Sequence, residues 1–279
     1  MSTLAETVQH ELLEAIQNDE LVLPTLPEVA LRVREAAEDP EISISTLSKV
    51  IGNDAALAAR LIKVVNSPLL RTSRQITDLN MAISRLGINY TSNLATGLAM
   101  EQMFQATSDV IDRKMRDVWS RSTEIAGMCH VLCRHFTRLM PDQAMLAGLV
   151  HQIGILPILA YAEESNALLK DSISLNHVID RIHPIIGEHI LRAWDFPEQI
   201  IAVPGNYLNF ERQSSAVDYV DMVQVAVLQS YADTTHPLSQ VDWSQVHAFS
   251  QLGLDVQNNT SNNENLSASM ESAPQMLKG

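Results

Sequence analysis

The chain has 279 residues, 46% of them apolar and 19% charged, which is enough for one large or two modest globular domains with proper cores. A formal net charge of −14 argues against nucleic acid as a partner, because phosphate-backbone binding needs clustered lysine and arginine. Charged residues, glutamine or proline interrupt every apolar run, and the N-terminus is acidic where a signal peptide is basic, so we predict a cytoplasmic protein with no membrane partner.

The helical period begins at the N-terminus. Leu4, Val8, Leu12 and Ile16 recur every four residues and predict an amphipathic helix within residues 1–22. The apolar stripe of this helix has two interpretations, which are docking onto a partner protein and packing on its own domain. The sequence does not decide between them.

A lobe of short helices is predicted over residues 23–105. The two prolines of LVLPTLPEV impose an extended turn, which is followed by a helix over about 28–38. Further short helices are expected after Ser45, over DAALAARLIKVVN, and after the cap Asp78. Gly87 is expected to stop a helix before INYTSNLATGLAMEQMF, and QATSD then marks the end of the lobe.

A second helical lobe is predicted over residues 106–255. A long helix is expected at about 111–136, and another begins near its cap Asp142 and reaches about residue 160. Pro157 should kink this helix or end it early. The segment HPIIGEHILRAW is expected to be a helix with Pro184 in its first turn, and PEQIIAV a short helix closed by Pro204 and the glycine after it. The predicted fold class is therefore all-α, with two packed helical lobes.

Residues 256–279 form a polar tail rich in asparagine and serine. Its few apolar groups cannot offset the entropy lost on ordering, so we predict that the tail is disordered.

Two cysteines, Cys129 and Cys133, lie four residues apart in an amphipathic helical pattern. This spacing favours small thiols that point into the core. A zinc site with His130 and His135 is the alternative, but those histidines lie on a different helical face.

Several runs resemble one known family in order and spacing. They begin with LPTLPEVALRVREAAEDPEISISTLSKVIGNDAALAARLIKVVNS and continue through ITDLNMAISRLGI, WSRSTEIAGMCHVL, MLAGLVHQIGILPIL and HPIIGEHILRAWDFPEQI. Over roughly residues 23–254 the chain resembles the HDOD domain, a degenerate, output-type relative of the HD superfamily of metal-dependent phosphohydrolases. The resemblance implies an HD-like helical core with an N-terminal bundle of short helices.

The resemblance also locates the positions of the HD metal ligands. A catalytic HD enzyme binds metal through a first histidine, an adjacent His-Asp pair and a distant aspartate. Arg121 stands at the place of the first histidine, the pair is His151 followed by Gln152, and Val227 is the closest match to the last aspartate. His183 matches a histidine common in the family. Arginine and valine offer no metal ligand and glutamine lacks the carboxylate, so we predict a vestigial site, with no catalytic residues and no metal or other cofactor.

A single weakly bound metal is a less favoured alternative. It would use His151 and His183, with His189 or Glu188 as a further ligand. The competing interpretation is that His151 is a hydrogen-bonded structural histidine beside the apolar stripe of its helix.

A pocket that binds phosphate or nucleotide without hydrolysis is a further alternative. Arg121, His151 and His183 would hold the phosphate, since the planar donors of arginine suit its oxygens. The competing interpretation pairs Arg121 with a local carboxylate, Glu124 or Asp117.

The predicted function follows from the lost ligands and from the family. HDOD proteins commonly occur in bacterial signalling, so we predict a non-catalytic regulatory module that contacts other signalling proteins in trans. The alternative is a metal-dependent phosphohydrolase acting on a nucleotide or cyclic dinucleotide. Other enzyme classes find no support, because the chain has no Walker-type loop, dinucleotide fingerprint or nucleophile elbow.

Overall fold

The structure is a computed structural model. It describes residues 4–18, 20, 22–70, 74–232, 234–254 and 269–277. Helices form all the regular secondary structure in these residues. The predicted all-α class is therefore confirmed. The α-helices are α1 (Leu4–Gln17), α2 (Glu28–Glu38), α3 (Ile44–Gly52), α4 (Ala55–Val65), α5 (Leu79–Leu86), α6 (Ile88–Ala99), α7 (Asp109–Phe136), α8 (Pro141–Val150), α9 (Ile155–Glu164), α10 (Asn166–Lys170), α11 (Ser172–Ala193), α12 (Glu198–Asn206), α13 (Tyr219–Ser230) and α14 (His247–Gln251). Short 3-10 turns lie at Met100–Met103, Pro237–Gln240, Trp243–Gln245 and Ala273–Gln275.

Three helices of the first half of the chain, residues 23–105, begin at side-chain caps, namely α3, α4 and α5. Ser43, Asp54 and Asp78 each accept a hydrogen bond from the backbone N–H three residues later, which satisfies one of the free donors of the first turn. Gly87 has a φ of 88°, a conformation that favours glycine, and separates α5 from α6 as predicted.

The first half and the second half share one hydrophobic core. The predicted boundary near residue 105 falls in the connection between the 3-10 turn Met100–Met103 and α7. One cluster of buried apolar side chains nevertheless runs through helices on both sides of this connection. The division at residues 22, 105 and 255 stays a prediction.

Helix α1 packs on its own domain. Its stripe of Val8, Leu12 and Ile16 is buried, and the helix contacts α11. A hydrogen bond also joins α1 to a later helix: the Tyr161 hydroxyl donates to the Glu11 carboxylate over 2.6 Å. The buried stripe is therefore not available for docking onto a partner.

The two central helices, α7 and α8, approach each other closely. A Cβ added to Gly148 on α8 would lie 2.5 Å from the Cα of Ala126 on α7. Any larger residue at Gly148 would push the helices apart, so this glycine sets their spacing.

Pro157 lies where a predicted helix ends early, as expected, whereas Pro184 and Pro204 occupy positions that differ from the predicted ones. The helix predicted over about 142–160 is broken at residues 151–154, so that Pro157 lies in the first turn of α9, where its missing N–H has no helical partner to lose. Pro184 lies in the middle of the 22-residue α11 rather than in a first turn, because Leu175, Val178 and Ile182 bury the preceding turns in the core. Pro204 lies inside α12, which continues to Asn206.

The end of the chain corrects the prediction of a disordered tail. Residues 255–268 lie outside the described residues, but 269–277 pack on α7, with Ala273, Met276 and Leu277 buried. A Cβ on Gly127 of α7 would collide with the carbonyl oxygen of Ala273, so the missing side chain makes room for this segment. The free energy gained by burying these apolar side chains offsets the conformational entropy lost on ordering. The composition of the tail alone predicts the opposite balance.

Among the described residues, one stretch, Pro141–Glu164, is long and apolar enough by composition to cross a membrane. It comprises α8, the turn at residues 151–154 and α9, and 83% of its most apolar window is buried inside the fold. Its apolarity is therefore explained by its position in the core.

Candidate functional site

The vestigial HD positions lie on four elements of the second half. Arg121 is on α7, His151 and Gln152 are in the turn between α8 and α9, His183 is on α11 and Val227 is on α13. The structure brings the two histidines together around a residue that the motif does not contain, Tyr207, at the C-terminal end of α12.

His151 is a buried, neutral histidine. Its Nδ1 lies 2.7 Å from the carbonyl oxygen of Gly148, and since a carbonyl can only accept, Nδ1 carries the proton. Burial lowers the pKa of His151 to about 3, and the nearby His183 and Arg121 act in the same direction. The predicted structural role, a hydrogen-bonded histidine beside an apolar stripe, agrees with this environment.

His183 has partners for both ring nitrogens. Its Nδ1 donates to the carbonyl of Ile179 over 2.7 Å, and its Nε2 therefore accepts the hydroxyl proton of Tyr207, also over 2.7 Å. Burial lowers the pKa of His183 to about 4. A metal-binding histidine commonly uses this tautomer, with one nitrogen on a carbonyl and the other on the metal, but here the second nitrogen is bonded to tyrosine.

Tyr207 fills the space between the two histidines. Its ring meets that of His151 edge-on, with centroids 4.9 Å apart and an interplanar angle of 88°. Its hydroxyl also lies 3.5 Å from the Gln152 amide nitrogen, and burial raises its pKa far above the usual range, so it is a neutral donor. Sequence reasoning missed Tyr207, because nothing in PGNY marks it and only the packing of α12 on α11 brings it to the histidines.

Arg121 and Val227 lie beside each other at the end of α13. The guanidinium of Arg121 is stacked over the ring of Tyr231, 4.4 Å from its centroid, and donates to the Ser230 hydroxyl over 3.4 Å. Ser230 in turn donates to the carbonyl of Val227. In the part of the chain that the structure describes, Arg121 forms no ion pair with Glu124 or Asp117, so the proposed local pairing is wrong.

The carboxylates nearest in sequence to Val227 are engaged elsewhere. Asp218 and Asp221 form a capping box at the start of α13, and both form ion pairs with Arg212. Asp221 precedes Val227 by six residues, or roughly 9 Å along the helix axis. Neither side chain replaces the lost aspartate of the HD pattern.

The further ligands of the weak-metal alternative do not complete a site. His189 is exposed while His183 is buried, because six residues on a helix rotate the side chain to another face. Within the described ranges no group of three or more His, Cys, Asp and Glu side chains could hold a metal ion. The vestigial site contains two neutral imidazoles, an amide, a guanidinium and a valine. These groups do not fit the metal centre that the HD superfamily implies.

The cysteine pair behaves as predicted from its spacing. Cys129 and Cys133 are buried free thiols, and burial raises the pKa of both. His130 is hydrogen-bonded to the Tyr90 hydroxyl over 2.8 Å, whereas His135 is exposed. In the described part of the chain these four side chains do not come together as a group that could hold a metal ion.

Comparison with known proteins identifies the family. A sequence model of the HDOD domain matches residues 23–206. The chain belongs to the HDOD family. An uncharacterized protein of Treponema pallidum (strain Nichols) is 27% identical over 193 residues, which are 64% of this chain and 36% of that protein. The match therefore spans only about a third of that relative's length.

Solved structures with the HDOD fold cover nearly the whole chain. A "putative metal-dependent phosphohydrolase" from Shewanella amazonensis SB2B superimposes with a TM-score of 0.86 at 29% identity, covering 98% of this chain and 99% of that one. An HDOD domain protein of unknown function from Geobacter sulfurreducens gives a TM-score of 0.63 at 18% identity, covering 97% and 95% of the two chains. A "putative signal transduction protein" from Marinobacter aquaeolei VT8 gives 0.64 at 20% identity, covering 98% of this chain and 66% of that one.

Proposed function

We propose that this HDOD protein is a non-catalytic regulatory module of the bacterial cytoplasm that transmits a signal by contacting other signalling proteins. One observation carries the proposal: the Tyr207 hydroxyl donates to Nε2 of His183, the atom with which this histidine would have to bind a metal in the weak-metal alternative. A neutral cluster of this kind stabilises a core and offers nothing to activate a water molecule.

The relatives support a signalling role in general terms. The Marinobacter protein of the same fold is described as a putative signal transduction protein. The proposed partners are signalling proteins that act in trans.

A phosphohydrolase is the second candidate, because the Shewanella protein with the higher TM-score is described as one. It would require metal ligands at positions where this chain has Arg121, Gln152 and Val227. A phosphate-binding pocket is less well supported. Of the three residues predicted to form it, His151 and His183 are neutral, and the guanidinium of Arg121 is stacked on Tyr231.

Metal content and hydrolysis separate these candidates. Protein purified without a histidine tag should be equilibrated with Mn²⁺, Mg²⁺ or Fe²⁺, analysed for metals, and assayed on bis(p-nitrophenyl) phosphate and a cyclic dinucleotide. We expect metal well below one ion per chain and no hydrolysis above that of metal and buffer alone. Stoichiometric metal together with hydrolysis that His151→Ala abolishes would refute the proposal.

The contact function needs a separate test in the native host. In a strain that lacks the gene, a His151→Gln variant shown to fold should restore the wild-type phenotype as well as the native protein does, because no reaction depends on the imidazole. Loss of complementation by a folded His151→Gln protein would favour chemistry at the site. Photocrosslinking from exposed positions in the complemented strain should then yield the same partner with both proteins.

A further inference from the structure

A cavity lies between the two halves of the chain, away from the vestigial HD site. It has a volume of about 250 Å³ and is bounded by α2, α6, the first turns of α8 and the connection between α11 and α12. The buried part of its lining comprises Ser92, Thr96, Asp142, Leu146, Phe196 and Ile200. Its size suits a molecule of a few heavy atoms, below the usual range for drug-sized ligands.

Two buried polar atoms of this lining have no partner in the described part of the chain. Asp142 is 1% exposed, and its Oδ2 accepts a hydrogen bond from the Asn93 amide over 2.7 Å, but its Oδ1 has no donor. Thr96 is also 1% exposed, and its hydroxyl has neither donor nor acceptor. Buried polar groups are nearly always hydrogen-bonded, and an unpaired carboxylate oxygen is especially costly, so the two atoms indicate an occupant.

Asp142 has no capping role that would explain its burial. The sequence predicts it as the cap of α8, but the structure places Met140 at the cap position and Pro141 at the first helical position. The Asp142 side chain crosses instead to Asn93 of α6, on the other half of the chain. Its carboxylate thus belongs to the cavity between the halves rather than to the helix end.

The charge of the lining selects the kind of occupant. Arg34 is the cation of the lining, and its two terminal nitrogens donate to the carbonyls of Trp194 and Asp195 over 2.7 and 2.8 Å. Its guanidinium also lies over Phe196, 4.5 Å from the ring centroid. The lining carries two carboxylates, Asp142 and Glu38, against the one guanidinium of Arg34, so the cavity favours a positively charged donor over an anion.

We propose that this cavity binds a small organic cation that carries N–H donors, of the alkylammonium or alkylguanidinium class. The cationic group donates to Asp142 Oδ1 and to the Thr96 hydroxyl, and the short alkyl part lies against Leu146 and Ile200. Because Asp142 and Thr96 come from different halves of the chain, the bound cation stabilises their contact. The site is therefore a place where a small metabolite can alter the state of a protein that has no catalytic centre.

Butylammonium chloride is the probe for this site, with 1-butanol as the neutral probe of matched shape and KCl as the control for ionic strength and for a bare cation. Binding is followed on the full chain by two-dimensional amide NMR, including the side-chain signal of Asn93, and by the shift in melting temperature. We expect saturable changes with butylammonium in the millimolar range and none with 1-butanol or KCl.

Three substitutions test which residues are responsible. Asp142→Asn keeps the shape and removes the charge, and Thr96→Val keeps the volume and removes the hydroxyl. Each should weaken butylammonium binding, Asp142→Asn by about tenfold or more. Asp117→Asn on the exposed face of α7 makes the same change of charge outside the cavity and should bind like the native protein. If Asp142→Asn fails to fold, Thr96→Val alone carries the test.

Several results would overturn the proposal. Equal binding of 1-butanol would show that the cavity recognises apolar volume alone, and a response to KCl would show a site for an inorganic cation. No saturable change with butylammonium would mean that water alone satisfies Asp142 and Thr96. Unchanged affinity in a folded Thr96→Val or Asp142→Asn protein would place the cation elsewhere. Each result is independent of the metal analysis at the vestigial site.

Discussion

The hydrogen bond between Tyr207 and His183 can be removed without changing the packing. In Tyr207→Phe the ring remains, and the 2.7 Å bond from the hydroxyl to His183 Nε2 is lost. Both residues are almost completely buried, so water cannot replace the donor. An unpaired buried acceptor costs about 1 to 3 kcal/mol, and the 3.5 Å contact with Gln152 is too long to add much. For a chain of this size the melting temperature falls by roughly 2 to 4 °C for each kcal/mol.

Thermal and urea denaturation of Tyr207→Phe measure this loss, and Tyr231→Phe provides the matched control. Tyr231 is half-buried in the same half of the chain and its hydroxyl makes no hydrogen bond within the described structure, so its loss should change stability by less than about 0.5 kcal/mol. A Tyr207→Phe protein as stable as the native one would refute the assigned bond. Stoichiometric Mn²⁺ uptake by Tyr207→Phe would refute the conclusion that the remaining residues do not fit a metal.

Three further predictions concern acid stability, the chain end and the contact between the halves. Since burial holds the pKa of His183 at about 4, below the ordinary 6.5, the unfolded state takes up its proton first as the pH falls. The contribution of His183 to the free energy of unfolding should be fully present above pH ~6.5 and should fall by about 3 kcal/mol toward pH 4. The urea midpoints at pH 7 and pH 5 should therefore differ less in His183→Gln than in the native protein. Gly127→Ala should displace residues 269–277 and speed their hydrogen exchange. In a protein truncated after residue 268, the same substitution should cause no further loss of stability. Additive losses of stability from the substitution and the truncation would contradict this contact. Arg34→Met should destabilise the protein by about 1 to 3 kcal/mol in urea denaturation, because two carbonyls of the α11–α12 connection lose charged donors. An unchanged urea midpoint would count against a stabilising role for these two hydrogen bonds.

Local sequence signals predict the helices where the physics is local. The helix start at Asp78 is predictable because a cap acts within one turn, and the long helix α7 is predictable because its apolar period extends over many turns. Proline was less informative, since Pro184 and Pro204 lie inside helices that tertiary packing stabilises. The cost of an interior proline is a few kcal/mol, which burial of a helix face can exceed.

Contacts between distant segments could not be predicted in this way. Met276 and Leu277 are isolated apolar residues in a polar tail, and their groove depends on Gly127, about 150 residues earlier. The family pattern located His151 and His183, but Tyr207 meets them through helix packing that no short motif encodes. The role of Asp142 was predicted wrongly for the same reason, because its partner Asn93 lies on another helix.

The two histidines have structural work that does not depend on a metal. Gly148 is in the last turn of α8, where backbone carbonyls lack helical partners, and the Nδ1–H of His151 satisfies its carbonyl just where the chain turns toward α9. His183 stands directly before Pro184; its Nδ1–H donates to the carbonyl of Ile179 and its Nε2 accepts the Tyr207 hydroxyl proton. Replacing His151 by an apolar residue would leave the Gly148 carbonyl without this donor, and replacing His183 would leave the buried Tyr207 hydroxyl without its acceptor, each at a cost of about 1 to 3 kcal/mol. The two imidazoles therefore contribute to the fold without any metal, and their presence in an HD-like sequence is no evidence of hydrolysis unless carboxylates accompany them.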